Sequence, residues 1–375
     1  MAYIEYKQRG KKRLWSFSIR ERSKSLLHKS GFKTKREAKI EAEKVLHKLN
    51  TGSILRSNMT LSELYQEWLD LKILPSSRSE VTKKKYIMRK KVIERLFGDQ
   101  PVSQIKPSEY QKIMNEYGKS ASRNFLGRLN SCIRASIQMA IADKVVIEDF
   151  TAYVDLFSTR SGQKVEEKYL HTESDYQKVL VYLKNKFDYQ KSIVPYVIYF
   201  LFKTGMRFSE LIALTWDDVD EVGEQVKTYR RYNTAIHKFT PPKNNTSIRL
   251  VPITSDMLSL LKTLKMLQLK TNKELNIDNK NNLIFQHFGY AYDVPDIGTV
   301  NKAIKVMLME LEIFPIISTK GARHTYGSYL WHNNIDLGVI AKILGHKDIS
   351  MLVEVYGHTL EEKISEEFMA VKSLL

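Results

Sequence analysis

The sequence predicts a mainly α-helical protein with small β elements, an α+β fold. Apolar residues recur at helical spacing over most of the chain after residue 60. The alternation typical of strands is confined to the first 32 residues and to one insertion near residues 226–253. A chain of 375 residues is too long for one ordinary core. We therefore expect three domains: a three-stranded sheet with one helix (1–52), a helical domain (59–155), and a mixed helical domain with a β-hairpin insertion (169–375).

The N-terminal segment reads as three strands followed by a helix. Tyr3–Arg9 and Leu14–Arg22 alternate in the manner of strands, and Ser25–Phe32 provides a third strand. Thr34 is a suitable N-cap for a helix from Lys35 to Leu49. This pattern predicts a small sheet backed by one helix.

Basic charge is the main compositional signal. The net charge is +18, and residues 1–50 hold 15 Lys and Arg against 5 Asp and Glu. Such an excess favours a polyanionic partner, although a plain solvated surface is the alternative. Aromatic and basic residues on the predicted strands are candidate DNA contacts: Arg13, Trp15, Phe17, Arg20 and Arg22. Lys84 and Lys85, on a predicted helix, are further candidates for phosphate contacts.

The middle of the chain reads as a helical domain. Thr60 and Glu63 form a capping-box pattern that opens it. Four further helices are predicted at 79–96, 107–117, 120–143 and 147–154. Linkers are predicted before the domain at 53–58 and after it at 156–168. Cys132 is the single cysteine, so no internal disulfide can form and a reducing compartment fits. Its neighbours indicate a buried position on a helix.

The C-terminal part is mainly helical with a β insertion. The apolar run 193–202 is far shorter than the roughly 20 residues of a membrane span and reads as a core helix. Strands are predicted at Val226–Tyr232 and Ile248–Ile253, with a third at Thr234–Lys238. The segment Leu360–Leu375 reads as an amphipathic tail helix that packs either on its own chain or on a neighbouring copy.

One constellation indicates chemistry on a phosphodiester. Tyr356 follows His346 by ten residues, and Arg323 and Arg207 lie further upstream. A tyrosine hydroxyl can attack phosphorus, while cations stabilise the charge that builds on the non-bridging oxygens. The chain has 20 tyrosines, so the choice of Tyr356 rests on its place after His346. This set predicts an enzyme that cuts and rejoins DNA.

Five stretches in this order resemble the tyrosine recombinases, above all phage and genomic-island integrases. They are residues 204–211 around Arg207, 242–252 with Lys243 and Arg249, 322–325 around Arg323, 344–346 around His346, and 356–358. The resemblance covers about 169–375. The basic N-terminal segment and the helical middle are similar, less specifically, to the arm-binding and core-binding domains of that group.

The resemblance implies a role for each residue of the constellation. Tyr356 would form a 3′-phosphotyrosyl link, Arg207 and Arg323 would hold the non-bridging oxygens, and His346 would donate to the same phosphate. Lys243 matches the family's general acid toward the leaving 5′-oxygen. Glu210 would support Arg207. Neither a cofactor nor a metal is expected.

One position departs from the integrase pattern. Three residues before Arg323 that pattern has a histidine, and this chain has Lys320. Type IB topoisomerases resemble this chain there. Lysine can contact the phosphate but is a poor base, which leaves the identity of the general base open. For His324, packing or a backbone hydrogen bond is the favoured interpretation.

The resemblance also implies partners. The chain would bind double-stranded DNA at attachment sites and assemble with further copies of itself into a tetramer. An excisionase and a host DNA-bending protein are possible additional partners. The expected location is the cytoplasm of a bacterial host, away from membranes. Two alternatives stay open: a topoisomerase-like enzyme that nicks and closes one strand, and a DNA-binding repressor or architectural protein without chemistry.

Overall fold

The computed structural model describes residues 3–9, 13–21, 24–50, 59–145, 147–160, 162, 164, 166–346, 349–350 and 352–353. Several predictions fall outside these residues: Arg22, the linker 53–58, Tyr356 and the tail helix at 360–375. The chain divides after Gly162 into two compact units. Both are helical with small antiparallel sheets, so the predicted fold class is confirmed.

The first unit begins with an antiparallel sheet in the order β1-β2-β3, followed by one helix. The elements are β1 Tyr3–Arg9, β2 Leu14–Glu21, β3 Lys24–Phe32 and α1 Lys35–Asn50. All four lie where the sequence predicts them, within one residue. Thr34 caps α1, since its hydroxyl accepts a hydrogen bond from the Glu37 backbone N–H at 3.1 Å. The helix covers one face of the sheet and buries an apolar core of Phe17, Ile19, Ala38, Ala42 and Val45.

This packing corrects part of the predicted DNA-contact set. Phe17 is fully buried under the helix, so the expectation that it lies in a DNA groove is wrong. Trp15 also packs against that core, and the Lys35 ammonium lies 5.3 Å from its ring centroid. Side chains alternate along β2, so Arg20 lies on the face of the sheet opposite to Trp15. There its guanidinium pairs with the Glu5 carboxylate at 3.6 Å. Trp15 and Arg20 therefore cannot contact DNA through the same face of the sheet.

The rest of the first unit is a group of helices around their own core. They are α2 Leu61–Trp68, which continues as a π-helical turn Leu69–Ile73, α3 Glu80–Phe97, α4 Pro107–Gly118 and α5 Arg123–Ala142. The capping box of Thr60 and Glu63 is present. Cys132 is buried in this core, as predicted.

The helix predicted at 147–154 is absent; the described residues of that segment form turns. Asp149 accepts hydrogen bonds from the backbone N–H and the hydroxyl of Thr151, and this local pairing competes with a helix.

The main helices of the second unit lie between residues 173 and 344. They are α6 Glu173–Asn185, α7 Val194–Thr204, α8 Phe208–Leu211, α9 Ser255–Leu275, α10 Ile297–Glu310, α11 Thr319–His332 and α12 Leu337–Leu344. The apolar run forms α7, which is buried almost all round at the centre of the main core. Over the described part of the chain, no helix combines the length and apolarity that crossing a bilayer requires.

The β insertion differs from its prediction. Its strands are β4 Val219–Asp220, β5 Gln225–Thr228, β6 Arg231–Asn233, β7 Lys238–Thr240 and β8 Arg249–Pro252. The predicted strand Val226–Tyr232 is split between two sheets, β4-β5-β8 and β6-β7. The strand predicted at Thr234–Lys238 is wrong, because residues 234–237 form a turn. There Asn233 accepts from the Ala235 N–H at 3.0 Å, and His237 has φ of 52°.

Candidate active site

One cavity of about 500 Å³ in the second unit collects the predicted basic residues of the constellation, four cations and one imidazole. Its walls come from α8, from the segment between β7 and β8, from the first turns of α11 and from the end of α12. Among the residues that line it are Arg207, Lys243, Lys320, Arg323 and His346. Residues more than 130 positions apart in the sequence thus meet at one place.

Arg323 is held by the carboxyl ends of two helices. Its Nη1 donates to the carbonyl of Gly205 at 2.9 Å, and its Nη2 donates to the carbonyl of Leu344. These carbonyls follow α7 and end α12, where helix dipoles place partial negative charge. Gly205 has φ of 59°, and a Cβ there would lie 2.4 Å from the Tyr326 ring. Glycine therefore lets the end of α7 approach α11 and α12 closely.

Arg207 is held by a buried carboxylate. It stands before the first residue of α8, and its Nη1 donates to Glu210 at 2.7 Å. The other oxygen of Glu210 accepts from Arg249 at 3.0 Å. Burial opposes ionisation of Glu210, but Arg249 and Arg207 outweigh it and lower the pKa of this carboxyl. Glu210 therefore stays ionised and links the two guanidinium groups.

Gly345 and His346 follow α12 at the point where the chain turns. Gly345 has φ of 67°, and a Cβ there would lie 2.6 Å from the carbonyl oxygen of Thr246. The His346 backbone N–H donates to Ala341 at 2.9 Å. Burial, with Arg323 and Arg207 nearby, lowers the pKa of His346 to about 4. The imidazole is therefore neutral near pH 7 and can donate one hydrogen bond.

The two lysines of the predicted set are exposed. Lys243 lies in the segment between β7 and β8, and Lys320 is in the first turn of α11. The start of that turn is fixed by the Thr319 N–H, which donates to Asn301 at 2.8 Å. Both residues belong to the lining of the cavity.

Two further ionisable residues line the cavity outside the predicted site set: Lys168, which was not considered, and His324, for which packing or a backbone hydrogen bond was the favoured interpretation. His324 is four residues after Lys320, so both lie on one face of α11, a spacing that could have identified it. Burial, with Lys320 and Arg323 nearby, lowers the pKa of His324 to about 4. Lys168 carried no such signal, because its segment read as a linker.

The remaining predicted residues lie elsewhere. Arg13, Trp15 and Arg20 belong to the N-terminal sheet and its turn, and Lys84 and Lys85 are exposed on α3. Tyr356 lies outside the described residues. Within the described ranges, no acidic side chain lines the cavity and no group of His, Cys, Asp and Glu could hold a metal ion. The arrangement suits an anion that carries several exposed oxygens.

Comparison with known proteins decides the family. The family model described as "Phage integrase family" matches residues 171–363, more than half of the chain. The chain belongs to the phage integrase family. A second model, described as a phage integrase N-terminal SAM-like domain, matches residues 60–117 of this integrase.

Relatives and solved structures agree with that assignment. The integrase is 24% identical over 369 residues to a XerC-like tyrosine recombinase from Caldanaerobacter subterraneus, covering 92% of this chain and 91% of the relative. It is 25% identical over 341 residues to the transposase of transposon Tn916 from Enterococcus faecalis, covering 88% and 82%. The solved lambda integrase tetramer bound to a Holliday junction has the same fold, with a TM-score of 0.57 at 15% identity over 90% of this chain and 91% of that one.

These findings settle the class of activity. This integrase is a tyrosine site-specific recombinase of a mobile element. The topoisomerase-like alternative, which rested on Lys320, is not favoured.

Proposed function

We propose that this integrase cuts DNA with Tyr356 and rejoins it through a 3′-phosphotyrosyl intermediate. The Tyr356 hydroxyl releases its proton to solvent water, its oxygen forms a bond to phosphorus, and the bond from phosphorus to the 5′-oxygen breaks. Lys243 gives its proton to the leaving 5′-oxygen. The reverse reaction with a new 5′-hydroxyl restores the phosphodiester, so the bond energy is kept and no cofactor is needed.

The observation that carries this proposal is the cavity that gathers cations from four separate parts of the chain. Arg207, Arg323 and His346 would contact the non-bridging oxygens, and Lys320 would occupy the place of the family's usual histidine. The backbone and Glu210 contacts described above fix both guanidinium groups before DNA arrives. Pre-positioned donors of this kind stabilise a transition state because they need no reorganisation.

The same proposal assigns the other parts of the chain. Residues 1–52 would bind arm-type DNA sites, residues 59–155 would bind the core sites, and residues 169–375 would carry the chemistry. The sheet face that carries Arg20 supports DNA contact by residues 1–52. Exposed Lys84 and Lys85 support DNA contact by residues 59–155. Lambda integrase forms a tetramer on a Holliday junction, and we extend that assembly to this chain. An excisionase and a host DNA-bending protein would assist on attachment-site DNA in the bacterial cytoplasm.

Covalent trapping tests the proposal. A duplex with a nick close to the cleavage site loses a short fragment after cleavage, which prevents rejoining. The parent should accumulate a protein–DNA adduct, and Tyr356→Phe should bind the duplex equally and form none. An adduct that persists in Tyr356→Phe would remove Tyr356 as nucleophile.

A further inference from the structure

Lys168 enters the cavity from the segment that leads into the second unit. It ends a 3₁₀ turn, Glu166–Lys168, and is half-buried. Lys168 lines the cavity together with Lys320 and His324. Lys168 also contributes to the lowered pKa of His324, after burial, Lys320 and Arg323, so the two side chains are near one another.

The backbone at Lys168 and just after it is fixed against α11. A Cβ on Gly321 would lie 2.8 Å from the Lys168 carbonyl oxygen and 2.5 Å from the Ile317 Cβ, so only glycine permits this approach. Two residues further on, the Leu170 N–H donates to the Thr325 hydroxyl at 3.0 Å in a buried position. Lys168 therefore extends from an anchored backbone and not from a loose linker.

The charge of the cavity indicates what Lys168 faces. Six other cationic or imidazole residues line the same space, and within the described residues no carboxylate lines it. Placing another ammonium there is unfavourable unless an anion arrives to offset the repulsion. A phosphate of the DNA is the anion that the reaction brings.

We infer that Lys168 is a further catalytic residue, which contacts a non-bridging oxygen of the scissile phosphate. This inference rests on the proposed function. Lys168 neither gains nor loses a proton in the step: Tyr356 bonds to phosphorus, the 5′-oxygen leaves with the proton from Lys243, and Lys168 offsets the charge on the equatorial oxygens. Arginine can replace it, because a guanidinium also donates to phosphate oxygens.

Single-turnover cleavage of the nicked duplex at saturating protein tests the inference. Lys168→Ala should slow cleavage by about 10- to 100-fold, less than loss of a rigid donor, because a lysine stem is flexible and other cations remain. Its thermal unfolding and DNA affinity should stay close to those of the parent, and Lys168→Arg should recover most of the rate. Lys164→Ala is the matched control from the same segment, since Lys164 does not line the cavity; it should cleave at the parental rate.

A second substrate locates the contact. When a methyl group replaces one non-bridging oxygen at the cleavage site, the phosphate is neutral, and the parent-to-Lys168→Ala rate ratio should shrink towards one. A parental rate for Lys168→Ala on the ordinary duplex would overturn the inference, as would a loss matched by a fall in unfolding temperature or by an equal loss on both substrates. If the parent itself forms no adduct, the proposed function fails instead, so the two failures are distinguishable.

Discussion

Removing the charge of Glu210 should loosen the site and destabilise the second unit together. The carboxyl side chain is 1% exposed and pairs with Arg207 at 2.7 Å and Arg249 at 3.0 Å. Glu210→Gln keeps the shape but leaves both guanidinium groups without an ionic partner. Breaking a buried pair costs about 3–5 kcal/mol. Because Arg207 is 29% exposed and glutamine still accepts a hydrogen bond, we expect a loss of about 2–3 kcal/mol in the free energy of unfolding.

The loss of activity should not follow from the loss of stability alone. Arg207 would lose its 2.7 Å anchor, and a displacement of about 1 Å at a reacting phosphate can slow a reaction by about 100-fold. Asp218→Asn is the matched control. Asp218 is buried and pairs with Arg230 at 2.8 Å in the same unit, but neither residue lines the cavity. Its unfolding temperature should fall by a similar amount while cleavage stays near the parental rate.

The assays are thermal unfolding and single-turnover cleavage, both below the unfolding range of the variants. The Glu210 pKa is lower in the folded state than its ordinary value of 4.5. Its stabilisation is therefore fully present above about pH 4.5 and is lost as the pH falls through the folded pKa. The stability difference between parent and Glu210→Gln should shrink in that acid range. Equal cleavage by Glu210→Gln and Asp218→Asn would refute the claim that Glu210 positions Arg207.

Three further predictions concern other parts of the chain. Lys320→Ala should slow cleavage by roughly 100- to 1000-fold with little change in DNA affinity, and Lys320→His should recover much of the rate. Near-parental cleavage by Lys320→Ala would show that this lysine does not contact the phosphate. Deleting residues 1–52 should spare cleavage of a core-site duplex, abolish integration, and reduce the salt dependence of DNA binding by about 0.9 log units per lost phosphate contact. An unchanged salt slope would exclude that segment as a DNA-binding module. Gly205→Ala should lower the free energy of unfolding of the second unit, measured by chemical unfolding, by at least about 1–2 kcal/mol. The reason is that φ at this position is positive and the new Cβ would meet the Tyr326 ring. A variant as stable as the parent would contradict that packing.

The N-terminal strands, the capping box at Thr60 and most of the helices predicted in the middle domain were predictable because their signals are local. Alternation, an N-cap at Thr34 and a capping box at Thr60 each act within a few residues. The strand predicted at Thr234–Lys238 failed because one Asn side chain bonds to the backbone and turns the chain. Burial of Phe17 was missed because alternation alone does not say which face a helix covers.

The candidate site was only partly readable for a related reason. Motifs identified most of the charged side chains that line the cavity, but the contacts that hold them span up to 138 positions. Arg249 stood in a recognised stretch without a role, and its link to Glu210 is visible only in three dimensions. Lys168 reaches the cavity because Gly321 has no side chain, a relation that no local pattern contains.

The most direct test of the account is to identify the residue that becomes attached to DNA. After trapping on the nicked duplex, digestion with trypsin and removal of the DNA to a terminal nucleotide would leave one modified peptide for mass spectrometry. Cleavage at Lys347 and Lys363 releases a peptide whose single tyrosine is Tyr356. The account predicts the nucleotide on that peptide. A nucleotide on a peptide that contains any of the other tyrosines would contradict it.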